Sequence, residues 1–64
     1  MRKRLVRLHL RDNDPSIEGF LLGRWGGHYR LLKCSLLEAE NRSHSLDGEV
    51  WVPKERVLLI QRLP

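Results

Sequence analysis

Val6, Leu8 and Leu10 alternate with Arg7, His9 and Arg11, the period of a strand that buries one face. The pattern predicts a first strand over about residues 4 to 11. Asp12-Asn13-Asp14-Pro15 follows, three turn formers and a proline that cannot continue a ladder, so a tight connection is expected there. A second strand starts near Ile17 and runs to Trp25, with Gly19 and Gly23 inside it. Glycine within a strand pattern marks a bulge, a sharp bend or a close backbone approach. Trp25-Gly26-Gly27-His28 then reads as a two-residue hairpin, because a Gly-Gly pair takes the positive φ angles that such a turn needs.

A third strand is expected over roughly residues 28 to 38. Its Tyr29, Leu31, Leu32, Cys34, Leu36 and Leu37 break strict alternation, as in a strand that is bent or buried on both faces. A helix over Leu31 to Glu40 is the rival reading, since Leu, Glu and Ala propagate helices well. Residues 38 to 45 are polar and turn-rich and read as a loop. In the next stretch, GEVWVPKERVLLI, Val50 and Val52 alternate with Glu49 and Trp51 as strand four, and Val57 to Ile60 make strand five. Pro53-Lys54-Glu55 is the hinge: proline lacks a donor and fixes φ, so it ends one ladder and starts a single tight turn. Strand five then leaves at a steep angle to strand four. The expectation is one all-β domain over residues 1 to 64, a five-stranded SH3-like or Sm-like small barrel with a one-turn corner before the last strand.

Two stretches carry a family resemblance. Val6-Arg7-Leu8-His9-Leu10 with Ile17-Glu18-Gly19-Phe20-Leu21 resembles the first motif of Sm-like (LSm) proteins, in which apolar alternation leads to a strand with a central glycine. Gly48-Glu49-Val50-Trp51-Val52-Pro53 with Val57-Leu58-Leu59-Ile60 is similar to the second. The resemblance implies side-by-side assembly into rings, strand four of one subunit pairing with strand five of the next. RNA-binding members carry an Asp-x-aromatic-x-Asn type loop between strands two and three and an Arg-Gly pair before strand five. This chain has neither: the first loop reads Arg24-Trp25-Gly26-Gly27-His28-Tyr29 and the second Val52-Pro53-Lys54-Glu55.

Size and charge sharpen the picture. A 64-residue chain buries only roughly 60% of its unfolded surface, and small domains commonly draw extra stability from disulfides, metal or a partner subunit. Cys34 is the single cysteine, so no internal disulfide forms, and His9, His28 and His44 lack zinc-ligand spacing. No cofactor or metal is expected, which leaves oligomerisation or docking onto a larger protein assembly. Twelve Lys and Arg against eight Asp and Glu leave a net charge of +4. Arg2, Lys3, Arg4, Arg7 and Arg11 lie near the start, as a basic arm for phosphates or as a solvated end. No signal-peptide h-region follows Met-Arg-Lys-Arg and no apolar run approaches membrane length, so an intracellular protein (host-cell cytoplasm) or a virion component is expected, neither secreted nor membrane-bound.

No catalytic constellation emerges. His9 and His44 have no nucleophile placed beside them, Cys34 lies on an apolar strand, and Asp12 and Asp14 are turn formers. A small-molecule substrate is not expected either, because a short barrel lacks a deep pocket. The expected role is a structural or assembly module that is not an enzyme, with an interface at Trp51, Val52, Leu58 and Ile60. The chain also resembles small accessory proteins of tailed bacteriophages, some of which are Sm-like or SH3-like barrels. On that likeness the concrete expectation is a phage virion or head-assembly accessory of minor capsid type. The alternative is an Sm-like nucleic-acid-binding protein that uses Arg2, Lys3 and Arg4 of the arm with Arg24, Trp25, His28, Tyr29 and Lys54 of the two loops.

Overall fold

The structure, a computed structural model, describes residues 4–38 and 42–64. Five strands succeed one another: β1 (Arg4–Leu10), β2 (Ser16–Trp25), β3 (His28–Leu37), β4 (Ser43–Pro53) and, after a 3-10 turn (Lys54–Arg56), β5 (Val57–Arg62). All pair antiparallel in one sheet of order β4-β3-β2-β1-β5. The all-β, small-barrel expectation holds, and so does the corner before the last strand.

Turn chemistry sets the connections. Asp12 and Asn13 both take positive φ, near 60°, and the Asp14 N–H donates to the Arg11 carbonyl, closing a two-residue turn between β1 and β2. Gly26 (φ 55°) and Gly27 (φ 81°) close the β2–β3 hairpin in the same way, with Trp25 facing His28 across it. The long strands bend where the register slips, in β2 on either side of the Phe20–Leu21 pairings and in β3 between Leu32 and Cys34.

Bending wraps the inner face around one core. Val6, Leu8, Ile17, Tyr29, Leu31, Cys34, Val52 and Val57 are buried there, so every strand contributes. At Gly19, β2 and β3 leave no room for a side chain: a Cβ at that position would lie 2.7 Å from the Cys34 Sγ and 3.0 Å from the Leu32 carbonyl oxygen. The glycine is therefore needed for approach rather than for an unusual φ.

The ladders exclude one alternative and change one expectation. Residues 31–37 belong to β3, extended except at the Lys33 bulge, and the ladders of this strand to β2 and β4 exclude the helical alternative there; residues 39–41 lie outside the described residues. The polar segment Ser43–Ser45 belongs to β4 instead of a loop, pairing with Leu37, Leu36 and Ser35. Its polarity reflects exposure, not absence of a ladder. Finally, β5 pairs with β1 but has no ladder to β4, so these two strands are the edges of an open, strongly bent sheet.

Candidate nucleic-acid interface and assembly edges

The hairpin and the corner meet at one end of the sheet. The Lys54 N–H donates to the Gly27 carbonyl at 2.9 Å, and His28 Nδ1 donates to the Gly26 carbonyl at 3.0 Å, so both polar groups freed by the turn are used locally. Between hairpin and corner lies a cleft of about 250 Å³ lined by Arg24, Trp25, His28, Tyr29 and Lys54. No acidic side chain lines it, and Arg24 and Lys54 form no ion pair among the described residues.

The loop residues expected to act together are thus brought together, with one exception in kind. Tyr29 faces the core and is buried, so it forms the floor of the cleft and presents no open ring. Arg4 stands at the start of β1 opposite Leu21 and does not line the cleft. Arg2 and Lys3 lie outside the described residues.

Beside the cleft, on the outer face of β3 and β4, is a cluster that periodicity alone does not reveal. Arg30 donates two hydrogen bonds to the Glu49 carboxylate, each 2.9 Å long, and Trp51 Nε1–H donates to the same carboxylate. The Arg30 guanidinium lies 5.9 Å from the Trp51 ring centroid, within cation–π range. Trp25 stands edge-on to Trp51 at 5.5 Å, and His28 tilts against it at 6.0 Å. The Arg30 hydrogen bonds, with help from Trp51, hold the Glu49 carboxyl below the usual carboxylate range, and the same bonds raise the Arg30 guanidinium. Arg30 and Glu49 are far apart in sequence, and only the β3–β4 register makes them neighbours.

The two edges of the sheet are β5 and β4. Leu58, Leu59 and Ile60 are exposed on β5, 59%, 51% and 41% respectively, on a strand whose outer side is unpaired. Trp51 is half-exposed on β4, the opposite edge. Val52 is a correction: its side chain is buried in the core, because alternation turns it inward when Trp51 points out, so it offers an interface only backbone. Leu59 is an addition that the apolar run had hidden among its neighbours.

Several other polar groups are engaged structurally. Arg56 pairs with Asp14 and lies near Asp12, tying the corner to the β1–β2 turn, where the Arg11 N–H also donates to the Arg56 carbonyl. His9 contacts Gln61 at 2.9 Å and His44 lies 3.4 Å from Glu38. Burial pushes the Cys34 thiol up, away from nucleophilic thiolate. Among the described residues no group of three or more His, Cys, Asp and Glu is placed to hold a metal ion, and no helix is long and apolar enough to cross a membrane.

No family model and no curated protein matches the chain. Among solved structures, it is similar to the crystal structure of an Sm-like protein from Archaeoglobus fulgidus, with 23% identity and a TM-score of 0.76, over 94% of this chain and 80% of that one. Identity at that level carries the fold and nothing finer. Taken with the strand order, the hairpin and the one-turn corner, it shows that this chain has the Sm-like small-barrel fold.

Proposed function

We propose that the chain is a non-enzymatic Sm-like module that binds single-stranded nucleic acid at the cleft between the β2–β3 hairpin and the β4–β5 corner. The observation that carries this reading is the pairing of chemistries there: Arg24 and Lys54, cations without an ion pair among the described residues, beside the aromatic rings of Trp25 and His28. Cations hold phosphates, and aromatic faces stack unpaired bases of any sequence. The fold supports the same reading, since the Sm-like resemblance includes RNA-binding members. Nothing in the fold or in the likeness to the archaeal protein supports a virion or head-assembly role, and that expectation is dropped.

Self-association through β4 and β5 belongs to the same reading. Three consecutive apolar residues exposed on an edge strand are a liability for a monomer, and a strand from a second copy is the simplest cover.

Binding of fluorescent oligonucleotides across a salt series tests the proposal. Arg24→Ala with Lys54→Ala should weaken binding and flatten the log–log salt slope by about 1.4, since each single-strand phosphate that a cation neutralises adds about 0.7 to that slope. Unchanged affinity and slope in the double variant would remove the cleft from the function. The same series with Arg2, Lys3 and Arg4 replaced by alanine measures the share carried by the basic arm.

A further inference from the structure

On the outer face next to the cleft, the exposed ring of Trp25 stands against a second indole whose position is fixed from three sides. Trp51 is held at its Nε1–H by Glu49, over its face by Arg30, and by ring contacts with Trp25 and His28. Trp25 itself is 62% exposed, the most exposed large apolar side chain among the described residues. Its exposure is not matched by conformational freedom, because Trp51 buttresses it.

We infer that Trp25, held by Trp51, is an open stacking platform for one unpaired base, and that it ranks bases by the size of their π-face, purines before pyrimidines. The inference rests on the nucleic-acid reading above and goes beyond it in naming the residue and the preference. Three observations support it. The two rings touch at 5.5 Å in a T-shaped arrangement, so no slot separates them and a ligand ring must stack on the outside of Trp25. The carboxylate of the cluster accepts three hydrogen bonds from Arg30 and Trp51, and the Arg30 cation offsets its charge next to a phosphate. The unpaired charges next to the platform, on Arg24 and Lys54, are positive, which complements a strand whose phosphates flank the stacked base. Stacking strengthens with overlap, and purines offer more of it.

Glu49 and Arg30 act on the ligand only through Trp51, so they are positioning residues.

The experiment compares binding of oligo(A), oligo(U) and an abasic oligonucleotide of equal length to the full chain, by Trp fluorescence quenching and by anisotropy. Wild type should bind oligo(A) more tightly than oligo(U), and the abasic strand more weakly than either, with quenching only where bases are present. Trp25→Phe should keep the order with smaller differences. Trp25→Leu, apolar but not planar, should lose about ten-fold in oligo(A) affinity, within the range for one stacked base, and bring the three probes close together. The ring is exposed, so neither variant should unfold the chain, and a thermal melt checks this. Wild-type affinities in Trp25→Leu, or equal binding of the abasic strand, overturn the inference and leave the cleft reading intact. Absence of binding by every probe overturns both.

Discussion

Gly19 lies so close to Cys34 that an added methyl group would meet the thiol sulfur at 2.7 Å. The other neighbours are the Leu32 carbonyl oxygen and the Cys34 Cα, backbone atoms of a strand that is laddered to β2 and β4 and cannot move aside cheaply. Gly19→Ala should therefore destabilise the fold by about 1–3 kcal/mol, the range for overpacking a filled interior. Adding Cys34→Ala to it should recover part of that loss, because the sulfur is removed while the carbonyl stays in place. Chemical denaturation of the two single variants and the double variant measures the coupling; strict additivity would contradict the close approach.

The same burial makes Cys34 a chemical reporter of unfolding. Its thiol is raised by desolvation and has almost no exposed surface, so a disulfide reagent at neutral pH should react at the rate of opening. Reaction should be slow in buffer and rise with denaturant in step with the loss of structure. Prompt reaction in buffer would mean that β3 opens locally at the Lys33 bulge.

Much of this fold is legible in the sequence because two kinds of residue speak locally. Alternation marks β1, and the Asp12-Asn13 and Gly26-Gly27 pairs mark both tight turns, since few other residues tolerate those φ angles. The first half of β4 is not legible. Ser43, His44 and Ser45 carry no apolar signal, and they are strand because β3 offers them a ladder. Lys33, with φ 53°, has no sequence mark either; the bulge is imposed by the strands around it. At the site, composition points to the loop residues but not to the Arg30–Glu49–Trp51 cluster, because charge pairing across a sheet depends on a register that hydrophobic pattern does not set. Val52, expected at the interface, alternates with Trp51, and that alternation alone turns it inward.

Edge pairing predicts a split between the two edge strands. Leu58→Lys or Ile60→Lys puts a charge on an exposed position of β5, so the isolated subunit should melt nearly as before while the mass by light scattering falls to that of a monomer. Val52→Lys is expected to unfold the chain, since it places the charge in the core. A mass that stays high in both β5 variants would move the interface off this edge. A high mass that falls only when salt strips bound nucleic acid would make the assembly the ligand's doing.

The Glu49 cluster sets the last expectation, a pH dependence whose sign follows from its hydrogen bonds. Glu49 is held below the ordinary carboxylate range by Arg30 first and Trp51 second, so folding favours its charged form. A depressed carboxyl contributes stability that is present above its unfolded-state value and is lost as pH falls through its folded-state value. The Trp25–Trp51 arrangement should accordingly persist through mildly acidic buffer, where ordinary glutamates begin to protonate, and loosen only below that range. Two indoles 5.5 Å apart and edge-on should give a coupled near-ultraviolet circular dichroism signal, which makes the transition visible. Glu49→Gln keeps an acceptor for the Trp51 N–H but breaks the charged pairing with Arg30, so it should weaken that signal at neutral pH and remove its acid transition. Loss of the signal within the ordinary carboxylate range in the unmodified chain, or an unchanged acid transition in Glu49→Gln, would show that Trp51 is positioned by something other than Glu49.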